Sequence, residues 1–284
     1  MEGLFLLKTI SIKTNNNSIC NYLLNEFKYF EINEINVSYY KFKHYKNVII
    51  HYVGKNIDLF LAKISTLLAY TVIDFYEPKI IQNIINTNYF YFSTEDKKEI
   101  YNLCLTNVDF SDSISMFNTI SNAFHQFLSE NKYVILDGFV NFKLKEYIKE
   151  LDSIVDICVN KFIIDREYNE FIDLLKTYIK TSPCNCNTIH LVYKNHESIL
   201  LDGSKNPIKY NNDFIAQKYL SDITFSSNDF ALNSLLTLLP NKLYIHLIDD
   251  SDDFINTLKQ IFDKHVYMCN DCDLCNLYKK KIKI

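Results

Sequence analysis

Glycine, proline and tryptophan are scarce in this chain. Its 284 residues contain four glycines, four prolines and no tryptophan. The glycines are isolated from one another, at Gly3, Gly54, Gly138 and Gly203. Neither a G-x-G-x-x-G fingerprint nor a Walker A loop can be built from such spacing. Dinucleotide binding through a glycine-rich loop and P-loop hydrolysis are therefore excluded.

Positive charge is also limited. Arg166 is the only arginine, and the net charge is −4 with a pI near 6.0. Because nucleic acids bind to basic surfaces, there is no strong nucleic-acid signal. A single arginine also leaves little for bidentate recognition of phosphate, which disfavours a nucleotide enzyme.

Long apolar runs are missing as well. Met1–Lys8 lacks the basic region of a signal peptide, and the uncharged apolar run Ile64–Ile73 has about half the length that a membrane span needs. We therefore predict no membrane span and a cytoplasmic protein. In that compartment the eight cysteines indicate burial, metal binding or redox chemistry rather than disulfides.

The composition is otherwise that of an ordered protein, with 48% hydrophobic and 23% charged residues. Hydrophobic periodicity predicts a mixed α+β fold in three parts. Residues 1–90 form a predicted β-α-β-β-α unit, and residues 91–182 a helical middle region. Residues 183–284 form a predicted α/β unit with a short, partly parallel sheet and a cysteine-rich tail.

Strands and helices alternate in the C-terminal part. The predicted elements, in order, are Thr188–Tyr193, Ser198–Leu201, Asn228–Leu239, Leu243–Ile248, Asp252–Phe262 and His265–Met268. This order implies some parallel neighbours. His190 and His246 then lie in mid-strand, where adjacent strands would place their imidazoles side by side and let them titrate near neutrality. The alternative is that each is a buried, hydrogen-bonded histidine of a sheet.

The most distinctive segment is Leu136–Tyr147, with the sequence LDGFVNFKLKEY. An amphipathic stretch follows as far as Ile179, and Asp165–Glu167 are a candidate interruption of its apolar stripe. The segment resembles the signature of the sporulation protein YtxC family of endospore-forming bacteria. The resemblance implies a role during endospore formation, and it carries over no catalytic residue.

Charges of both signs follow the polar face of this helical stretch. Tyr147, Arg166, Glu167 and Glu170 are the candidate residues of a partner-binding patch, and the predicted partner is another protein. The alternative is a solvated helix face that is stabilised by pairs of opposite charge one turn apart.

The sharpest chemical motif is a C-x2-C-x2-C formed by Cys269, Cys272 and Cys275. Thiolates at this spacing can converge on one centre, so the candidate cofactors are zinc and an iron–sulfur cluster. The bacterial iron–sulfur run continues with a fourth cysteine and a proline, whereas Asn276–Lys279 follow here. A fourth ligand must therefore come from elsewhere in the chain.

Cys184 and Cys186 are the preferred source of that ligand, with His190 and His246 as further donors. The acidic neighbours of the motif oppose thiolate formation by repulsion between like charges. The alternative is a set of reduced cysteines on a loose tail.

A second candidate is the acidic run Asp249–Asp253, which directly follows a predicted strand. Carboxylates at the end of a parallel strand can hold Mg²⁺ for phosphoryl transfer, and Asp202 ends another strand. The structural alternative is that Asp250 or Ser251 caps the next helix and the acids after it occupy the first turn.

Three functions remain open. The first is a non-catalytic binding or assembly factor of sporulation, which the lack of a catalytic triad, a nucleotide loop and a complete ligand set favours over an enzyme. The second is a metal-binding or thiol-redox protein that uses the three C-terminal cysteines. The third and weakest is a Mg²⁺-dependent phosphoryl enzyme, which requires Asp202 and Asp249 close together in an open cleft.

Overall fold

A computed structural model of the chain describes residues 6–30, 34–106, 110–208 and 226–280. These residues pack into two compact units, Met1–Ile164 and Asp165–Ile284. The prediction of a mixed α+β fold is confirmed. The three-part division at residues 90 and 182 stays a prediction.

Unit 1, Met1–Ile164, contains a four-stranded sheet. Its strands are β1 (Leu6–Thr14), β2 (Ile35–Lys41), β3 (Lys46–Gly54) and β4 (Tyr133–Ile135). They lie in the order β2-β3-β1-β4, in which β3 is antiparallel to both β2 and β1, and β4 is parallel to β1. The sequence pattern does not predict β4, because a strand of this length shows no alternation.

Helices supply the rest of unit 1. They are α1 (Asn17–Glu26), α2 (Ile57–Phe75), α3 (Glu77–Asn88), α4 (Thr94–Thr106), α5 (Phe110–Glu130), α6 (Leu136–Lys143) and the first part of α7 (Lys145–Thr181). The side chains of Asn16 and Asn56 accept hydrogen bonds from first-turn N–H groups of α1 and α2, which explains where both helices start. Ile10, Phe60 and Phe124 are fully buried in the core.

The described residues include no single helix that is long and apolar enough to cross a membrane. Only α2 and α3 taken together have the required length and composition, and they are bent by 42°. Most apolar side chains of α2, including Ile64 and Leu68, are buried in the core of unit 1.

The helix α7 is continuous through Asp165–Glu167, but residues 164–171 are all exposed between the buried Phe162 and Ile172. The interruption therefore affects the apolar stripe and not the helix. The three residues carry charge on the exposed face, where it costs nothing in packing. Arg166 and Glu170, one turn apart, form an ion pair of 3.8 Å that suits a continuous helix.

Unit 2, Asp165–Ile284, has a second sheet of four strands. They are β5 (Cys186–Lys194), β6 (Glu197–Asp202), β7 (Pro240–Leu247) and β8 (Val266–Cys269), in the order β6-β5-β7-β8. The hairpin β5–β6 is antiparallel, and β7 runs parallel to both β5 and β8. The predicted short, partly parallel sheet is confirmed.

The two faces of this sheet differ. Leu243 and Ile245 of β7 are buried in a core that also contains side chains of α8 (Ser227–Leu238) and α9 (Asp253–Phe262). Because side chains alternate along a strand, Tyr244 and His246 belong to the opposite face. A further helix, α10 (Asp273–Lys280), contacts β7, and the sequence pattern does not predict it.

The helix α9 is capped by Asp252, whose side chain accepts the N–H of Ile255. The prediction that Asp250 or Ser251 is the cap is therefore wrong by one or two residues. Asp252 also accepts hydrogen bonds from Tyr193 and His196, which hold its carboxylate in place.

Candidate metal centre

The three cysteines of the C-terminal motif converge on one point because a strand, a turn and a helix follow in quick succession. Cys269 ends β8, Cys272 precedes α10, and Cys275 lies in the first turn of that helix. The N–H of Asn276 donates to the carbonyl of Cys272 at 2.9 Å. Lys279 closes the turn by donating from Nζ to the carbonyl of Asn270 at 2.9 Å.

The fourth member of the group is His246 of β7. It is opposite Cys269 in the register of the parallel pair β7–β8. One ligand atom from each of His246, Cys269, Cys272 and Cys275 lies within 4.8 Å of all the others, and the group could hold a metal ion.

Four of the six distances within the group are short and similar. Nδ1 of His246 is 3.4 Å from Sγ of Cys272 and 3.4 Å from Sγ of Cys275. Sγ of Cys275 is 3.6 Å from that of Cys272 and 3.9 Å from that of Cys269. The four atoms therefore surround a common centre rather than forming a line.

The group is largely shielded from solvent. Cys275 and His246 are 0% and 3% exposed, and the other two cysteines are half-buried. Burial raises the pKa of Cys275 to about 11. Burial acts in the same direction on Cys272, but hydrogen bonds, first from the backbone N–H of Cys275, lower its pKa below the ordinary value. The start of α10 thus favours one thiolate.

Behind the group, His190 of β5 contacts His246. Nδ1 of His190 lies 2.9 Å from Nε2 of His246, so the prediction of two imidazoles side by side is confirmed. Burial, followed by the charge of His190, lowers the pKa of His246 to about 4. The prediction that it titrates near neutrality is therefore wrong, and its neutral ring keeps a lone pair for a metal.

Cys184 and Cys186 do not belong to this group of described residues. Cys184 is exposed, and Cys186 pairs with Pro240 at the start of β7. His246 lies six residues further along β7, which corresponds to about 20 Å at the rise of a strand. The preferred donors Cys184 and Cys186 thus lie at the far end of the sheet. His246, one of the two alternative donors, belongs to the group instead.

The acidic candidates are also separated along the sheet. Asp202 is opposite Ile189 and accepts the backbone N–H groups of Ser204 and Asn206. Asp249 accepts the N–H of Asn195 at the other end of the same hairpin. Each carboxylate therefore stabilises a turn, and the two are not brought together as a magnesium site requires.

The candidate partner-binding residues have different surroundings. Tyr147 is fully buried, and its hydroxyl donates to Glu77. Arg166, Glu167 and Glu170 are exposed on α7. Only these three are available at the surface, and the patch stays a prediction.

The sequence profile of the YtxC-like family matches residues 62–267, which is more than half of the chain. The chain belongs to this family. The matched residues include His190 and His246 and end before Cys269. The resemblance carried by Leu136–Tyr147 is thereby confirmed.

A relative within this YtxC-like family is the protein named "Uncharacterized protein YtxC" of Bacillus subtilis (strain 168). It is 20% identical over 131 residues, which are 46% of this chain and 46% of the relative. The alignment thus spans about half the length of that protein. No solved structure matches the chain.

Proposed function

We propose that this YtxC-like protein binds one zinc ion through Cys269, Cys272, Cys275 and His246. The observation that carries the proposal is the mutual approach of the four ligand atoms to within 4.8 Å. A tetrahedral zinc ion with Zn–S bonds of about 2.3 Å and Zn–N bonds of about 2.0 Å separates its ligand atoms by roughly 3.5–3.8 Å. Four of the six distances between the ligand atoms, at 3.4–3.9 Å, match this size, and the other two are at most 4.8 Å.

The compactness of the group also discriminates between the two candidate cofactors. An iron–sulfur cluster places several iron and sulfide atoms between the ligating sulfurs, and a group this tight leaves room for a single ion. Three thiolates and one imidazole in tetrahedral arrangement are typical of zinc.

A zinc ion held here would have a structural role. Structural zinc sites use four protein ligands, whereas catalytic sites keep one position for water or substrate. All four positions in this group are filled by side chains, which supports the non-catalytic function over an enzyme. The ion would fasten β8 and α10 to β7.

Metal analysis of untagged protein purified without oxygen tests the proposal. We expect about one zinc per chain and no acid-labile sulfide, as a four-ligand structural site implies. Cys272→Ser should lose the zinc, and Cys184→Ser, which removes an exposed cysteine outside the group, should keep it. Metal-free wild-type protein, or a brown sulfide-bearing protein, would overturn the assignment.

We further propose that the protein acts in endospore formation as a binding or assembly factor for another protein. Membership of the YtxC-like family supports a role in endospore formation. An exposed surface on α7 supports binding to another protein. Phe171, Leu174 and Tyr178 are 50%, 69% and 47% exposed, and their spacing places them on one face of the helix. Glu167 and Glu170 lie on the preceding turns.

Spore counts in the native host test this role. Leu174→Asp in the chromosomal gene should lower the number of heat-resistant spores without affecting vegetative growth or zinc content. Lys176→Gln, a surface change on the same helix, serves as the control. Unchanged spore numbers after deletion of the whole gene would refute the sporulation role, and a defect with deletion but not with Leu174→Asp would refute the surface alone.

A further inference from the structure

His190 stands outside the ligand set, yet it occupies the second nitrogen of a proposed ligand. Nδ1 of His246 faces the sulfurs of Cys272 and Cys275 at 3.4 Å. Nε2 of the same ring faces Nδ1 of His190 at 2.9 Å. Both nitrogens of the buried His246 ring are thus accounted for.

The chemistry of imidazole decides which nitrogen carries the hydrogen. A neutral ring has one N–H donor and one lone pair, and only the nitrogen with the lone pair can bind a metal. If Nδ1 of His246 binds the ion, Nε2 carries the hydrogen and donates it. Nδ1 of His190 must then accept, so the hydrogen of His190 lies on its own Nε2.

The position of His190 is determined by the sheet. In the parallel pair β5–β7, His190 is opposite Tyr244 and Val192 is opposite His246, so the two histidines are diagonal neighbours. The His190 ring stacks on Tyr244 with a centroid distance of 5.2 Å and lies 5.2 Å from the His246 ring. A ring between two others has little freedom to turn away from Nε2 of His246.

We propose that His190 is a positioning residue of the metal site. It accepts the Nε2 hydrogen of His246 and thereby fixes both the tautomer and the orientation in which Nδ1 points to the ion. The proposal rests on the zinc-binding function proposed above. Partners of this kind typically contribute 10–100-fold to metal affinity.

Competition with a chelator of known zinc affinity tests the role in a set of three variants. His190→Leu removes the acceptor and should weaken zinc binding by about 10–100-fold. His190→Asn carries its amide oxygen near the position of Nδ1 and should retain most of the affinity. His196→Ala removes a histidine with an 81% exposed side chain from the same hairpin and should have no effect.

Two spectroscopic measurements make the outcome independent of small folding defects. The visible spectrum of the cobalt-substituted His190→Leu protein should change, since its imidazole ligand is no longer held. In wild-type protein, two-bond ¹H–¹⁵N correlations should show hydrogen on Nε2 of both His190 and His246. These spectra require no substitution.

The results separate the two proposals. Wild-type protein that binds neither zinc nor cobalt at one equivalent would refute the zinc site itself. Wild-type protein that binds zinc would refute the role of His190 alone if His190→Leu bound it equally tightly. Hydrogen on Nδ1 of His190 would do the same.

Discussion

The two units place their cysteines in different surroundings. In unit 1, Cys104 of α4 and Cys158 of α7 lie in the apolar core with exposures of 0% and 2%. Burial, reinforced by the contact with Cys158, raises the pKa of Cys104 to about 12. In unit 2, the pKa of Cys272 is lowered instead, and its sulfur faces an imidazole. The surroundings of a cysteine, rather than its presence, therefore decide whether a thiolate is available.

The difference follows from how each unit is stabilised. Unit 1 packs long helices such as α2 and α5 around one continuous apolar core. In unit 2, β8 is a four-residue strand and α10 an eight-residue helix, and segments so short bury little apolar surface. Small elements of this kind usually need a disulfide or a metal to hold them. The comparison thus indicates that a metal bound by the Cys–His group would fasten β8 and α10, which add little to the apolar core of unit 2.

Removal of the proposed zinc ion should have the largest effect, and that effect should be confined to unit 2. An ion present at a thousand times its dissociation constant stabilises the fold by about 4 kcal/mol. After chelation we expect faster hydrogen exchange of the backbone amides in β8 and α10, with α2 and α5 unchanged. Mass spectrometry of peptic fragments measures this. Equal exchange of the β8 and α10 amides with and without chelator would contradict the proposed difference between the two units.

A cavity made by substitution in the core of unit 1 should have the next largest effect on stability. It should leave the proposed zinc site of unit 2 intact. Leu68 of α2 is fully buried, so Leu68→Ala should cost about 2–5 kcal/mol in the free energy of unfolding. Leu59→Ala on the same helix, where the side chain is 51% exposed, should change it by less than about 0.5 kcal/mol. Urea denaturation and zinc content, measured together, would contradict the comparison if Leu68→Ala released zinc from folded protein.

Serine substitutions address the cysteines directly. Cys158→Ser buries a hydroxyl in an apolar core and should cost about 1–2 kcal/mol while the zinc content stays at one per chain. Cys269→Ser should show the converse, with loss of zinc. Zinc loss in Cys158→Ser that is not accompanied by unfolding would show that the two groups of cysteines are not independent.

Much of the site could be predicted from the sequence because its spacing is local. The C-x2-C-x2-C motif identifies three of the four proposed ligands, and the order of strands and helices places His190 beside His246. The sequence offered His246 only as one of several donors of a fourth ligand, since the choice depends on the register of β7 against β8. Cys184 and Cys186 match the other ligands in chemistry but lie at the opposite end of the sheet.

The elements of the fold could be predicted where a hydrophobic pattern extends over many residues. They could not be predicted where the elements are short. α2 and the strands β5 and β7 follow clear patterns, whereas β4 and α10 are too brief to show one. Gly138 remains without a structural account: an added Cβ would meet nothing within 4 Å.

The smallest expected effect is a pH dependence of stability that comes from Glu77 of unit 1, which accepts a hydrogen bond from Tyr147. Burial raises the pKa of Glu77, against the opposing hydrogen bond from Tyr147. A carboxyl whose pKa is higher in the folded than in the unfolded protein costs stability progressively as pH rises above its ordinary value of about 4.3. Glu77→Gln should therefore gain stability relative to wild type between about pH 4 and pH 7.

Urea denaturation of both proteins with chelator present measures this difference, because acid releases zinc from thiolates and would otherwise contribute. Tyr147→Phe is the matched control. It removes the donor to Glu77 and should lose stability most at neutral pH, where the carboxylate is left without that donor. A Glu77→Gln difference that did not vary with pH would show that Glu77 titrates normally. The pH dependence of the stability of unit 1 would then come from other groups. The chemical contrast between the two units would in that case depend on their cysteines alone.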